Sequence, residues 1–84
     1  MDDIEETARA ELMVIEGVYG LRIMNRDEAA RLIASKLRSK ARVLRVCTAI
    51  NTWIAMNKKG DALAIPDEVL ARFIGLLDDT SRLE

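Results

Sequence analysis

Hydrophobic residues near the start of the chain recur every three or four positions, which predicts an amphipathic helix. They are Ile4, Ala8, Leu12, Ile15, Tyr19 and Ile23. On a helical wheel they fall within an arc of about 100°. The acidic residues at the beginning of this segment suit the positive end of a helix dipole. We predict a first helix over 3–19, or over 3–23 if it continues past Gly17 and Gly20.

A second helical pattern begins at a capping signal. Asn25 is a favourable N-cap, and Glu28 three residues later completes a pair that resembles a capping box. Neither glycine nor proline occurs again before Gly60, so the pattern predicts a helix over 26–57. Unbroken, that helix would be roughly 50 Å long, which exceeds the width of a compact domain of this size.

The apolar positions of this long segment change face partway along it. The earlier positions, which share one side, are Ala30, Ile33, Ala34, Leu37, Ala41 and Leu44. The later ones, which lie close to the opposite side, are Val46, Ile50, Trp53 and Ile54. A straight helix packed on one layer would keep one face. We therefore predict a break or kink near 39–46; the alternative is an unbroken helix whose halves pack against different neighbours, a second chain included.

A third helix is predicted over 66–77. Pro66 suits the first helical turn, Asp67 and Glu68 follow where negative charge is favoured, and a broad apolar face comes after them. Residues 60–65 are predicted to form a loop. The expected fold is an all-α domain spanning 1–84, a small bundle of three or four helices whose central helix is either long or kinked.

The composition excludes several kinds of chemistry. The 84 residues include no histidine, so the commonest general acid and base and the commonest zinc ligand are both missing. The single cysteine, Cys47, cannot form a disulfide within the chain and is predicted to be a small buried hydrophobe. We predict a protein that is not an enzyme and has no catalytic residue, metal site or cofactor.

The longest stretch without a charged residue is Val46 to Asn57, twelve residues. A membrane span needs roughly twenty apolar residues. The first residues are acidic, whereas a signal peptide begins with basic ones. The sequence therefore predicts a cytoplasmic protein with no membrane partner.

Charge is unevenly distributed although the net charge is only −1. Residues 1–21 carry a net −5, residues 22–59 a net +8 and residues 60–84 a net −4. No acidic residue occurs between Glu28 and Asp61. Either the acidic outer segments neutralise the basic middle within the fold, or the basic middle binds an anionic partner.

Four arginines in the basic middle, Arg31, Arg38, Arg42 and Arg45, are candidate binding residues. On one continuous helix they would fall within about 60° of one another, away from the apolar side. Guanidinium groups match the oxygens of phosphates and carboxylates. The stripe could bind a nucleic-acid backbone or an acidic protein. Alternatively, it is a solvated face paired with the chain's own acids, of which the candidates are Glu5, Glu6, Glu11, Asp78 and Asp79.

A helix-turn-helix unit is one arrangement of the middle segment. It would comprise a first helix over 28–37, a turn over 38–40 and a recognition helix over 41–57. The match is partial, because Arg38 stands where glycine usually makes the turn and Ser39 where an apolar residue usually fills the core. The sequence pI of about 5.5 also argues against DNA binding, since most DNA-binding domains are basic.

A heptad pattern offers another arrangement, a long coiled-coil-like dimer. Its a and d positions are Ala30, Ile33, Leu37, Lys40, Leu44, Cys47, Asn51, Ile54 and Lys58. Trp53 is a further candidate: exposed, it would be an interface anchor, and buried, a core residue.

These patterns together predict a small regulatory or adaptor protein that acts as a homodimer. Its small size and its lack of histidine are typical of phage or bacterial accessory proteins. Our first hypothesis is that it binds a protein partner through a helical surface containing the arginine stripe and Trp53. The alternative is a DNA-binding transcriptional regulator of helix-turn-helix type that uses the helix over 41–57.

Overall fold

The computed structural model describes residues 3–77, which form four helices and two very short strands. In chain order the elements are α1 (Ile4–Tyr19), β1 (Arg22–Ile23), α2 (Arg26–Lys36), α3 (Lys40–Asn57), β2 (Ala62–Leu63) and α4 (Asp67–Leu77). The prediction of a small all-α bundle is confirmed. The predicted polar tail from Asp78 onward lies outside the described residues.

Helix α1 has a clear signal at each end. The side chain of Asp3 accepts a hydrogen bond from the backbone N–H of Glu6, at 3.1 Å, which caps the first turn. Gly20 ends the helix in the left-handed conformation, with φ of 64°, and its N–H donates to the carbonyl of Glu16. The helix therefore does not continue to residue 23, and Ile23 instead lies buried in β1.

The predicted central helix is broken, and the break lies at residues 37–39, at the start of the predicted window. The backbone is extended at Leu37 (φ −111°, ψ 129°) and at Ser39 (φ −108°, ψ 128°). The Leu37 side chain is fully buried, while the Ser39 hydroxyl caps α3 by accepting from the N–H of Arg42. Burial of the leucine and capping by the serine favour a break although no glycine or proline is present.

The break rules out the continuous coiled coil. Five of its apolar a and d positions are buried within the chain's own core, namely Ala30, Ile33, Leu37, Cys47 and Ile54. Their spacing reflects the burial of two separate helices in one core, and only Leu44 of the apolar set is exposed. The heptad interpretation is therefore wrong.

The loops at one end of the bundle are tied together by Asn25. Its amide nitrogen donates to the carbonyl of Ile65 at 2.8 Å, and its amide oxygen accepts from the N–H of Ile65 at 3.0 Å. Asn25 precedes α2 but makes no capping hydrogen bond with its side chain, so the predicted capping box with Glu28 is wrong. The side chain is committed to a contact 40 residues away instead.

The two strands form a short parallel ladder beside this contact, with Arg22 opposite Ala62 and Ile23 opposite Leu63. The segment over 60–65 was expected to be loop throughout. Two-residue strands have no alternating pattern long enough to detect in a sequence. Their pairing joins the connection between α1 and α2 to the connection between α3 and α4.

The core is aliphatic and lies where α1 packs against α2 and α3, with α4 packed against α3 and α2. Its largest fully buried side chains are Leu12, Ile33, Leu37, Val43, Val46, Ile50, Ile54, Ile65 and Leu70. Cys47 is buried as predicted, and that burial, with a smaller contribution from the charge of Glu11, raises the pKa of its thiol to about 12. The thiol is therefore protonated and unreactive at neutral pH.

Replacing Asn25 with alanine should lower the free energy of unfolding by about 1–3 kcal/mol. The substitution removes both hydrogen bonds to Ile65 and leaves the backbone of a buried residue without those partners. Urea denaturation followed by circular dichroism measures the loss. Asn57→Ala is the matched control, because the Asn57 side chain is exposed and bonds only within α3. Equal losses for the two variants would contradict a stabilising role for the contact between the loops.

Candidate nucleic-acid interface

Helices α2 and α3 lie where the sequence predicts the two arms of a helix-turn-helix unit. Three residues join them, and α1 packs against both. The first arm begins at Arg26 rather than residue 28, and the second at Lys40 rather than residue 41. The backbone at Arg38 does not have the positive φ for which a turn would need glycine. Within residues 3–77, positive φ occurs only at Gly20 and Gly60. Leu37, in the connection, is fully buried, while Ser39 is partly exposed.

One face of α3 points away from the core. Its exposed residues follow helical spacing and are Ala41, Arg45, Thr48, Thr52 and Ala55. The hydroxyl of Thr48 donates to the carbonyl of Leu44 at 3.0 Å, and that of Thr52 donates to the carbonyl of Thr48 at 3.3 Å. Each hydroxyl oxygen keeps lone pairs that can accept from a ligand. This face combines a long cation with two short polar side chains.

Thr48 and Thr52 are the site residues that sequence reasoning missed. Neither belongs to a recognisable motif. The available signal was their spacing, three and seven residues after Arg45, which puts all three on one helical face.

The structure distributes the four predicted arginines over three elements. Arg31 belongs to α2, Arg38 to the connection, and Arg42 and Arg45 to the first turns of α3. A wheel for one continuous helix therefore does not describe their arrangement. Arg38 and Arg45 are exposed near the start of α3. Arg31 is exposed beside an open cleft of about 560 Å³, which Arg22 and Arg26 also line.

Most arginines of the stripe take part in no ion pair within residues 3–77. Arg9 and Arg26 are the cations of five ion pairs within residues 3–77. Glu5 and Glu6, two of the acids expected to cover the stripe, pair with Arg9 on their own helix. Within residues 3–77, Arg31, Arg38 and Arg45 take part in no ion pair. Asp78 and Asp79, also expected to pair, lie outside the described residues.

An ion-pair cluster instead joins α1 to the start of α2. Arg9 Nε lies 3.2 Å from Asp27 Oδ1, and Arg26 Nη1 lies 3.0 Å from Glu16 Oε1. The Glu16 carboxylate also accepts from the backbone N–H of Ile23, at 2.8 Å. The acidic charge of α1 is thus partly neutralised behind the exposed face of α3, by arginines that lie outside the stripe.

The charge state of Asp27 follows from its surroundings. Desolvation raises the pKa of this carboxyl, but hydrogen bonds from Arg9 and Arg26 outweigh it, so the pKa lies below its ordinary value. Hydrogen bonds that Arg9 donates to Glu5 and that Arg26 donates to Glu16 raise the pKa of each arginine. Arg9, Arg26 and Asp27 are therefore ionised at neutral pH.

The Asp27 cluster should make stability depend on pH in the acid range. Because folding lowers the pKa of Asp27, its contribution is present above the unfolded pKa of about 4 and is lost as pH falls through the folded value. We expect Asp27→Asn to lower the melting temperature at pH 7 and to reduce the drop between pH 5 and pH 2. Asp61→Asn, which removes an exposed carboxylate outside the ion pairs, is the control. Identical pH profiles for both variants would contradict this role.

Trp53 is neither fully exposed nor fully buried. Its side chain is partly buried and packs against the core, and part of its surface remains accessible on α3. On the other side of the exposed face of α3, the Tyr19 hydroxyl of α1 donates to the side-chain oxygen of Asn51. Trp53 thus contributes to packing and stays a candidate contact residue through the part of its side chain that is accessible.

Within residues 3–77, no three acidic or cysteine side chains are grouped so that they could hold a metal ion. No helix in the same range has both the length and the apolar content to cross a membrane. Comparison with protein-family models, curated proteins and solved structures finds no match.

Proposed function

We propose that this protein binds duplex DNA as a helix-turn-helix protein, with the exposed face of α3 in the major groove. The three-residue connection between α2 and α3 supports this function, as does the packing of α1 behind both helices. A major groove admits an α-helix, and the face bearing Arg45, Thr48 and Thr52 supplies donors and acceptors for base edges.

The observation that carries the proposal is the separation of charge. The segment between Glu28 and Asp61 contains eight lysines and arginines and no acid, and it spans most of α2, the connection and all of α3. The ion pairs of α1 use Arg9 and Arg26, so they do not occupy Arg38 or Arg45. Binding to phosphates depends on this local field more than on the net charge of −1.

The side chains divide into two roles. Arg45 and the two threonines lie along α3 at the spacing that reaches base edges. Arg38 and Lys40, exposed at the start of α3, suit contacts with the phosphates that flank the groove. Arg31, which is exposed on α2, suits a contact with the phosphates of the adjacent DNA strand.

The test is the affinity for a fluorescent random-sequence duplex at two salt concentrations. We expect measurable binding at about 50 mM salt and a loss of roughly 100-fold or more at about 200 mM, because several counterions are released. No binding at the lower concentration, or affinity insensitive to salt, would contradict the proposal.

A protein partner is the second candidate function, favoured by apolar side chains exposed on the same helix. Met56 is 79% exposed, and Leu44 is 38% exposed beside Arg45. An acidic partner with an apolar patch would fit this surface. Capture by the immobilised protein, compared with its Arg45→Glu and Trp53→Ala variants, tests this candidate. Equal capture by all three would place the interface elsewhere.

A further inference from the structure

The outer face of α1 carries an apolar stripe, here called the α1 stripe, that nothing within residues 3–77 covers. Its members recur at helical spacing and are Ala10, Met13, Val14, Gly17 and Val18. Met13 is 50% exposed, Val14 59% and Val18 65%. The opposite side of the helix already packs into the core through Ala8, Leu12 and Ile15. A surface helix normally turns charged residues outward, so an uncharged outer face indicates a contact.

We propose that the α1 stripe binds the same stripe of a second copy of this chain, with the two helices antiparallel. The order of large and small residues along the stripe lets it pack against the same stripe of a second copy. A two-fold axis passing between residues 13 and 14 places Ala10 opposite Gly17 of the second copy and Met13 opposite Val14. Small residues on both sides of the large pair let the helix backbones approach closely.

Gly17 supports this register. A Cβ built on it would meet no atom of its own chain within 4 Å, so the space around it opens outward. Glycine within a helix costs about 1 kcal/mol relative to alanine, and no turn or positive φ requires it at this position. The close approach of a second helix explains why glycine stands at this position although it destabilises the helix.

Charge selects an antiparallel pair over a parallel one. The stripe is preceded by Asp3 and Glu6, and the first charged residue after the helix is Arg22. Glu6 and Arg22 are both exposed. A parallel pair would bring the acidic ends together, whereas an antiparallel pair brings each acidic end towards Arg22 of the other copy and opposes the helix dipoles. This ordering of charge makes the stripe complementary to itself rather than to an unrelated surface.

The dimer is independent of the DNA-binding proposal, because it uses α1 and not the exposed face of α3. One helix pair covers less than the roughly 800 Å² per partner of a standard interface. We therefore expect a dimer whose population rises with concentration across the micromolar range.

Sedimentation of the purified protein without DNA, from about 5 to about 500 μM, tests the proposal, and the expected mass rises towards twice 9.4 kDa. Val14→Glu should hold the protein at monomer mass over the same range. Leu76→Glu is the matched control, because Leu76 is also a largely exposed apolar residue, 71% exposed, and lies on α4. A wild-type monomer throughout, or a dimer that survives Val14→Glu, would overturn the proposal.

Cysteine cross-linking tests the antiparallel register. The native Cys47 is buried and its thiol does not compete. An equimolar mixture of Ala10→Cys and Gly17→Cys chains should form mixed disulfides at least several-fold faster than either variant alone forms its own. Mixed disulfides no faster than self-linked ones would overturn the antiparallel arrangement. Far-ultraviolet circular dichroism verifies that each variant is folded.

Discussion

Replacing Arg45 with glutamate should reduce the affinity for duplex DNA by roughly 100-fold at low salt. Arg45 is exposed on the outward face of α3 and takes part in no ion pair within residues 3–77. The substitution removes a contact worth about 1–3 kcal/mol and adds repulsion between the new carboxylate and the phosphates. Fluorescence anisotropy at about 50 mM salt measures the change.

Arg72→Glu is the matched control for this experiment. Arg72 is exposed on α4, and its reversal changes the net charge from −1 to −3, just as Arg45→Glu does. We expect an effect of less than about threefold, because α4 lies outside the proposed helix-turn-helix unit and exposed charges are screened over about 10 Å. Equal losses for the two variants would show that DNA responds only to net charge, and the assignment of α3 would fail.

Leu37→Ala should lower the free energy of unfolding by about 2–5 kcal/mol. This loss is a large share of the total free energy of unfolding of a domain of this size. Leu37 is fully buried in the connection between α2 and α3. Truncation leaves a cavity at the point where both helices meet the core. The melting temperature should fall by at least about 10 °C.

Leu44→Ala is the control, and it also tests the helix break. Leu37 and Leu44 are seven residues apart, so on one continuous helix they would share a face and cost the same. With the break, Leu44 lies on α3 with 38% of its surface exposed, and we expect its truncation to cost less than about 1.5 kcal/mol. Similar costs for the two leucines would contradict the break.

The helices were largely predictable because their signals are local. Gly20 at the end of α1, and Pro66 with Asp67 and Glu68 at the start of α4, act within one turn of the backbone. The break in the central segment was predictable as a change of apolar face. Its position was not, because extended backbone at Leu37 and Ser39 involves no residue that excludes a helix.

The sequence correctly places Asn25 directly before a helix that begins at Arg26, but the predicted capping bond of the Asn25 side chain is wrong. Its type and its distance from Glu28 satisfy a local capping rule, but its amide bonds Ile65 instead. A side chain with a donor and an acceptor can serve either role, and only the return of the distant loop made the second role available. Local rules cannot anticipate a bond that spans 40 residues.

The candidate site was predictable in composition but not in arrangement. Arg38 and Arg45 stood out because no acid lies near them in the sequence, and both are exposed at the start of α3. Arg31 was assigned to the same helix, yet it belongs to α2 and lines a cleft. The α1 stripe was not recognised, because five uncharged residues have no chemical signature until the packing of α2 and α3 shows which side of α1 is left uncovered.

The sequence by itself determined that this protein is a helical bundle with an aliphatic core and a basic middle between acidic ends. These properties follow from periodicity, capping and the count of charges, all of which act over a few residues. Only the tertiary structure determined which charged residues of different helices pair with each other. Because α1 folds back beside the start of α2, Glu16 pairs with Arg26 and Arg9 pairs with Asp27, and neither of these carboxylates pairs with Arg38 or Arg45. Ion pairing depends on distance in space, so the same charges could have been neutralised internally by a different packing of the same helices.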